Sequence, residues 1–195
     1  PSMRIVGNAK TLQMVEGFYG LADHTLTVAD GDVLDLGGLT LRFHLTPMVH
    51  WPETMVTWCP ERRVLFSGDA LGTFGAPDGG ITDSELDPDR YWDEMRRYYA
   101  AIVGKYGAPV QKALSKLAGL PIETICPTHG PVWRREIARV VSLYDRMSRY
   151  EGEPGVVVAY GSMYGNTERA AERIARTLAA EGVGPIRVYN LSYAE

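Results

Sequence analysis

Apolar residues recur with two different periods along the first third of the chain. Residues 14–18 carry apolar side chains at the spacing of a short amphipathic helix. Residues 26–28 and 39–45 alternate between apolar and polar side chains, as half-buried strands do, and glycine-containing turns separate the two runs. Two short apolar runs follow at 56–59 and 64–66. The pattern therefore predicts a short helix followed by strands that are connected by tight turns.

The middle of the chain returns to helical spacing. Asp87-Pro88 predicts a helix start, because aspartate caps free N–H groups and proline at the first helical position needs no N–H partner. This helix is expected to reach about residue 105, and a second helix is expected over 109–119. An apolar run at 122–126 predicts a strand, and 134–150 is expected to form a third helix with one apolar side.

A change of pattern in the last quarter of the chain indicates a second domain. Residues 152–155 combine two glycines with a proline, which is typical of a linker. The wholly apolar run at 156–159 is typical of a buried parallel strand. A helix expected at 167–180 and a strand expected at 186–191 complete one βαβ unit. The predicted domains are residues 1–151 and residues 155–195.

Composition limits the class of protein to which the chain can belong. Hydrophobic residues make up 45% of the sequence, which is enough for a packed core, and the net charge is only −4. We find no basic block that would indicate nucleic acid and no apolar run long enough to predict a membrane span. Cys59 and Cys126 do not make a disulfide framework and are expected to be buried, inert thiols. A cytoplasmic location is the simplest expectation.

Three residues with metal-binding side chains follow three of the predicted strands. His50, Asp69 and His129 each come shortly after an apolar run. Imidazole nitrogen and carboxylate oxygen suit iron, zinc or manganese, and one carboxylate has two oxygens with which to bridge two ions. Each residue taken alone also has an ordinary structural explanation, as a turn cap or as a side chain that orients a loop. Their shared position after strands makes a metal site the sharper hypothesis.

A loop at Tyr160-Gly-Ser-Met-Tyr-Gly-Asn-Thr167 joins the first strand of the second domain to its helix. Such a loop directs main-chain N–H groups and the helix dipole at one point, which suits a phosphate group. The loop has neither the Gly-Lys-Ser/Thr of a nucleoside triphosphate loop nor the G-x-G-x-x-G of a dinucleotide fold. From the residues alone, an ordinary turn with Thr167 as the helix cap explains the loop equally well.

Both groups of motifs resemble one known family. Three segments resemble the metallo-β-lactamase-type domain of flavodiiron proteins, also called A-type flavoproteins. They are Thr46-Pro-Met-Val-His-Trp-Pro-Glu-Thr-Met55, Phe66-Ser-Gly-Asp-Ala-Leu-Gly72 and Pro127-Thr-His-Gly130. The loop at 160–167 resembles the FMN phosphate loop of flavodoxins, and the order of the two domains is that of the same family. Hydrolases of the superfamily usually carry Thr-Pro-Gly-His-Thr at the first of these segments. This chain has Met-Val-His-Trp-Pro-Glu there instead, which favours the di-iron branch.

The resemblance implies a fold and two cofactors. The implied fold class is α/β, with the C-terminal part of a metallo-β-lactamase-like αββα sandwich followed by the first βαβ unit of a flavodoxin-like doubly wound sheet. His50 and His129 would each be a terminal ligand of one iron, and Asp69 would bridge the two irons of a di-iron centre. The ribityl phosphate of FMN would be held by Ser162, Met163, Tyr164, Gly165, Asn166 and Thr167.

The resemblance also implies a reaction and partners. The family reduces O2 to water, NO to N2O, or both, and FMN supplies the electrons. A small redox protein such as rubredoxin is the expected electron donor, and a head-to-tail homodimer would bring the flavin of one subunit to the irons of the other. Trp51 and Glu53 would line the metal site or pack beside it. A zinc-dependent hydrolase of the metallo-β-lactamase superfamily, or a catalytically silent electron-transfer module, stays open as an alternative.

One motif of the family is missing from this sequence. The pattern His-x-Glu-x-Asp-His, which supplies the remaining metal ligands in the family, does not occur. A flavodoxin-like domain is also expected to contain more strands than residues 155–195 can form. The chain is therefore expected to be an internal segment of a longer protein, with His50, Asp69 and His129 supplying only part of the coordination.

Overall fold

A computed structural model describes residues 3–193 of the chain. The chain divides into two compact units, and the division falls between Glu151 and Gly152. The first unit begins with a parallel pair of strands, β1 (Ile5–Gly7) and β2 (Thr25–Thr27), joined by helix α1 (Ala9–Tyr19). This helix extends the one predicted at 14–18 towards the N-terminus, because the Asn8 side chain accepts hydrogen bonds from the N–H groups of its first turn.

A five-stranded sheet forms the centre of the first unit. Its strands lie in chain order, and β3 to β6 are antiparallel to their neighbours whereas β6 and β7 are parallel. The strands are β3 (Val33–Asp35), β4 (Thr40–Leu45), β5 (Met55–Cys59), β6 (Val64–Gly68) and β7 (Thr124–Pro127). Strands β4, β6 and β7 therefore run in the same direction. Their C-terminal ends consequently lie at the same edge of the sheet.

Helices cover one face of this sheet. They are α2 (Trp92–Tyr98), α3 (Gly107–Leu117) and α4 (Ile137–Ser148). The single helix predicted over 87–105 is instead divided, because a 3-10 turn (Pro88–Tyr91) precedes α2 and a π-helical turn (Tyr99–Val103) follows it. The predicted cap is present, since the Asp87 side chain accepts the N–H of Asp89.

The start of α4 differs from the predicted start at residue 134. The N–H groups of Arg134, Arg135 and Glu136 all donate to the buried carboxylate of Asp83, over 2.8–3.1 Å. These residues therefore form a turn bound to a distant side chain, and the helix begins only at Ile137. The sequence gives no local sign of this interaction, because Asp83 lies about fifty residues earlier in the chain.

The two faces of the sheet have different surroundings. Val56, Trp58, Leu65 and Ile125 point towards the helices and are buried in one core with side chains such as Met95, Val110, Trp133 and Tyr144. The strand register places Phe43, Thr57, Phe66 and Cys126 together on the opposite face. Phe66 is 48% exposed there, near the middle of the sheet. This second face is therefore apolar but incompletely covered by the described part of the chain.

The second unit is one βαβ unit. Strands β8 (Val156–Tyr160) and β9 (Ile186–Asn190) pair in parallel, and helix α5 (Asn166–Ala180) connects them. Ala171 of α5 is buried, but Ile174 of the same helix is 52% exposed although it is apolar. Two strands are too narrow to cover the whole apolar side of a helix, which explains the difference. Within residues 3–193, no helix is long and apolar enough to cross a membrane.

Candidate metal centre

The structure brings the three predicted metal ligands together. Asp69 directly follows β6, His129 comes two residues after β7, and His50 lies in the loop after β4. Since these strands end at the same edge of the sheet, their following residues converge there. The pairing of β6 with β7 shifts in register between Phe66 and Gly68, directly before Asp69. Such irregularities re-aim side chains at the ends of strands.

The carboxylate of Asp69 lies between the two imidazole rings. Its Oδ2 atom is 3.1 Å from Nε2 of His50, and its Oδ1 atom is 3.4 Å from Nε2 of His129. Each oxygen therefore faces a different histidine. Within residues 3–193, no group of three or more His, Cys, Asp or Glu side chains is placed so that it could by itself hold a metal ion. The candidate site therefore consists of one carboxylate with an imidazole beside each of its two oxygens.

Thr128 holds the carboxylate from a third direction. Its hydroxyl donates to Asp69 Oδ1 over 2.6 Å, and its N–H donates to the carbonyl of Gly68 over 2.8 Å. Thr128 lies within the motif Pro127–Gly130, but nothing in the sequence predicts this contact with Asp69. Its position immediately before His129 was the only available signal.

Three buried aromatic side chains hold the main chain that follows Asp69. The hydroxyl of Tyr98 donates to the carbonyl of Asp69 over 3.2 Å, the indole N–H of Trp133 donates to Leu71, and the hydroxyl of Tyr144 donates to Gly72. We call Tyr98, Trp133 and Tyr144 the carbonyl clamp. Burial raises the pKa of both tyrosines well above the usual value, and the charge of Asp69 adds to this effect. Both phenols are therefore protonated donors at neutral pH.

The loop that carries His129 packs tightly against the same segment. The N–H of Thr73 donates to the carbonyl of His129 over 3.3 Å. Gly130 adopts a φ of +84°, and a Cβ atom at this position would lie only 2.3 Å from the Cγ2 atom of the buried Thr73. Glycine is therefore required at residue 130 both for its backbone conformation and for lack of space.

The two residues predicted to line or support the site lie near His50. The ring of Trp51 is 5.4 Å from the ring of His50 and is largely exposed. Glu53 is half-buried, and its main-chain carbonyl accepts a hydrogen bond from the side chain of Asn8 over 2.7 Å. Its carboxylate Oε2 is buried without a hydrogen-bond partner among the residues described. Neither Trp51 nor Glu53 forms a hydrogen bond with Asp69 in the described part of the chain.

The predicted phosphate loop connects β8 to α5 in the second unit. Gly165, with a φ of +76°, precedes the first helical residue, Asn166, so Thr167 lies inside the helix and is not its cap. Met163 and Tyr164 are almost fully exposed, whereas Ser162 Oγ is buried and has no partner within residues 3–193. The N–H of Ser162 donates to Ser192 Oγ over 2.9 Å. Ser192, which lies beyond β9, was not singled out from the sequence.

The sequence profile of one family covers most of this chain. The family is described as ODP family beta lactamase, and its profile matches residues 1–130. The chain belongs to this family. The match spans the whole five-stranded sheet of the ODP protein and includes His50, Asp69 and His129.

Curated relatives of this ODP-family chain carry names from nitric oxide metabolism. The nitric oxide reductase of Moorella thermoacetica is 29% identical over 198 residues, which cover 100% of this chain and 49% of that protein. The anaerobic nitric oxide reductase flavorubredoxin of Escherichia coli is 30% identical over 200 residues, which cover 100% of this chain and 42% of that protein. The chain thus spans about half the length of these relatives.

Solved structures of flavodiiron proteins share the fold of the ODP-family chain. Rubredoxin:oxygen oxidoreductase from Desulfovibrio gigas matches with a TM-score of 0.90 and 28% identity, over 98% of this chain and 49% of that one. The flavodiiron protein from Giardia intestinalis matches with a TM-score of 0.89 and 28% identity, over 97% and 47%. These matches support the resemblance to flavodiiron proteins and the mixed α/β fold. The domain boundaries and the flavodoxin-like character of the second unit stay predictions.

Proposed function

We propose that this chain is part of an FMN-linked, non-haem di-iron oxidoreductase that reduces O2 to water, NO to N2O, or both. The observation that carries the proposal is the position of Asp69, whose two carboxylate oxygens face Nε2 of His50 and Nε2 of His129 separately. The names of the relatives, which include nitric oxide reductase and rubredoxin:oxygen oxidoreductase, support the same reaction class.

The residues present fit a pair of iron ions. His50 would bind one ion, His129 the other, and Asp69 both, which uses donor types that suit iron. Two adjacent ferrous ions, when bound, supply electrons in pairs to a small substrate. The side chains of this chain do the positioning, because Thr128 fixes the carboxylate and the carbonyl clamp fixes the main chain behind it. The remaining ligands would come from the family's His-x-Glu-x-Asp-His motif, which does not occur in this sequence.

The second unit would hold the phosphate of FMN. The proposed contacts are the N–H groups at the start of α5, which have no main-chain partner inside the helix, together with the loop residues from Ser162 to Thr167. The buried and unpaired Oγ atom of Ser162 is a free hydrogen-bonding group at this loop. Electron supply by a small redox protein, a head-to-tail homodimer and a cytoplasmic location are further parts of the proposal.

The incompletely covered face of the five-stranded sheet supports the proposed αββα sandwich. Apolar side chains on both faces are typical of a sheet that lies between two layers. The face that carries Phe66 has such a character but no complete second layer in the described part of the chain. A second sheet from the rest of a longer protein would cover it.

A zinc-dependent hydrolase is the second candidate. Its support is the family description, which names a beta lactamase, and the same imidazole and carboxylate donors also bind zinc. The position of Asp69, with one oxygen facing each of two histidines, favours a two-ion site, and the description of a solved neighbour as a flavodiiron protein favours iron.

Cofactor analysis of the longest natural form of the protein separates the candidates. We expect two irons and one FMN for each chain, and consumption of O2 or NO when reduced rubredoxin is supplied. Stoichiometric zinc with hydrolysis of a β-lactam or ester would refute the reductase. Bound FMN without consumption of either gas would instead identify an electron-transfer module.

A further inference from the structure

The hydroxyl of Thr128 contacts one of the two oxygens that Asp69 turns towards the histidines. The distance from Thr128 Oγ1 to Asp69 Oδ1 is 2.6 Å, which is typical of a strong, charge-assisted hydrogen bond from a hydroxyl to a carboxylate. Asp69 Oδ1 is also the oxygen that faces His129, whereas Oδ2 faces His50. This hydroxyl can therefore hold the plane of the carboxylate so that one oxygen faces each histidine.

The main chain holds this hydroxyl in place. The N–H of Thr128 donates to the carbonyl of Gly68, the residue directly before Asp69, over 2.8 Å. Thr128 thus makes two hydrogen bonds to the Gly68–Asp69 segment, one from its main chain and one from its side chain. The branched Cβ atom of threonine leaves few χ1 rotamers, so that the hydroxyl stays directed at the carboxylate.

The chain supplies few alternative restraints on the Asp69 carboxylate. The carbonyl clamp acts on the main chain of the segment, because Tyr98 bonds to the carbonyl of Asp69 and not to its side chain. Among the residues described, the side chains that hydrogen-bond the carboxylate are Thr128 and His50. Both imidazoles are expected to bind metal in the loaded protein, which would leave Thr128 as the restraint on rotation about χ2.

We propose that Thr128 is a positioning residue, whose hydroxyl sets the orientation in which Asp69 bridges two metal ions. The inference rests on the proposed function for the presence of two ions, but the orientation of the Asp69 carboxylate can be measured in the metal-free protein. Loss of a hydrogen bond of this kind to a metal ligand typically weakens metal binding by about 10–100-fold. The effect should fall on the second ion, because a rotated carboxylate can still bind one ion but cannot bridge two.

Three substitutions test the proposal. Thr128→Val removes the hydroxyl and keeps the branched shape, Thr128→Ser keeps the hydroxyl, and Thr124→Val is a matched control on β7. The hydroxyl of Thr124 makes no hydrogen bond with any residue in the described range 3–193. The longest natural form of the protein should be used, with Mn²⁺ as the probe ion, and both the affinity and the magnetic exchange coupling between bound ions should be measured.

We expect Thr128→Val to bind the second Mn²⁺ about 10-fold or more weakly and to lose exchange coupling. Thr128→Ser and Thr124→Val should behave as the wild type. The proposal is overturned if Thr128→Val keeps the wild-type affinity for the second Mn²⁺ and the exchange coupling. It is also overturned if Thr128→Ser loses them as Thr128→Val does, because the hydroxyl would then not be what orients Asp69.

A crystal structure of the metal-free Thr128→Val variant separates this inference from the proposed function. The Asp69 carboxylate should rotate so that its two oxygens no longer face the two histidines separately. An unchanged carboxylate would refute the role of Thr128, whatever the metal content. If the wild type binds only one ion while the carboxylate rotates in the variant, the di-iron function fails and the positioning role stands.

Discussion

The hydroxyl of Tyr98 donates a hydrogen bond to the main-chain carbonyl of Asp69 over 3.2 Å. Tyr98 is the last residue of α2, and it is buried, so this bond connects the helical layer to the strand end that carries the central candidate ligand. The same carbonyl also accepts the N–H of Gly72 over 3.3 Å, so Tyr98 supplies one of its two hydrogen bonds.

Replacing Tyr98 with phenylalanine should therefore destabilise the fold. The variant keeps the ring and removes one of the two donors to this carbonyl, and a hydrogen bond of this kind contributes roughly 0.5–1.5 kcal/mol. Urea unfolding should show this decrease in the free energy of unfolding. Tyr19→Phe is the matched control, because Tyr19 is largely exposed, and its substitution should change stability by less than about 0.5 kcal/mol. Equal effects of the two variants would contradict the clamp.

Stability should decrease at alkaline pH. Burial raises the pKa of Tyr99 to about 12, and the neighbouring Tyr150 adds to this effect, whereas an unfolded tyrosine ionises near pH 10. Since the folded state holds the proton more tightly, its contribution to stability is complete below about pH 10 and is lost as the pH rises towards 12. Urea unfolding across this range should show a falling free energy of unfolding. The Tyr99→Phe variant should show a shallower decrease, and an identical slope would exclude Tyr99 as a contributor.

Gly130→Ala and Gly17→Ala should change stability in opposite directions. A Cβ atom at residue 130 would lie 2.3 Å from Thr73 Cγ2 at a positive φ, so that the substitution should cost roughly 2–3 kcal/mol. Gly17 lies inside α1 with no atom within 4 Å of the added Cβ, and alanine there should stabilise by about 0.5–1 kcal/mol. Thermal and urea unfolding measure both. A harmless Gly130→Ala would mean that the loop of His129 moves freely away from Thr73.

Asp83→Ala should destabilise the first unit. The carboxylate accepts hydrogen bonds from three consecutive N–H groups before α4, and its removal leaves these donors unpaired at a cost of roughly 3 kcal/mol. Hydrogen exchange of the N–H groups of 134–136 should become faster than in the wild type. Asp78→Ala, in an exposed part of the same connecting segment, serves as the control and should leave both measurements unchanged. Slow exchange in Asp83→Ala would show that other acceptors suffice.

Asp69→Ala should abolish assembly of the metal pair and leave the flavin in place. The reason is that Asp69 is the residue shared by His50 and His129. Iron content and flavin absorbance of the longest natural form measure the two effects. Thr167→Ala gives the converse comparison, since it should weaken FMN binding without loss of iron. Retention of two irons by Asp69→Ala would refute the bridging assignment.

Most of the regular elements could be predicted because their causes are local. The alternation in residues 39–45 and the apolar run at 156–159 correspond to β4 and β8, and the cap at Asp87 is present. The π-helical turn Tyr99–Val103 was missed, because helical periodicity does not show where a long helix is interrupted. The start of α4 was missed because it depends on a side chain about fifty residues away.

The residues of the candidate site likewise fall into those that local motifs predict and those that depend on long-range contacts. His50, Asp69 and His129 stand in recognisable motifs after strands, so that the sequence was sufficient to select them. Tyr98 and Thr128 were not selected, since their contacts with Asp69 join residues 29 and 59 positions apart. Contacts of this range depend on how α2 and β7 pack against β6, which no local pattern specifies.

The carbonyl clamp has a consequence for ligand binding. Three donors from distant parts of the chain fix the carbonyls of Asp69, Leu71 and Gly72 during folding. The conformational entropy of this loop, roughly 1–2 kcal/mol for each residue, is therefore lost when the chain folds and is not lost again when a ligand arrives. The loop that carries Asp69 is therefore preorganised for binding. A mutation of the carbonyl clamp can weaken ligand binding although the mutated side chain does not contact the ligand.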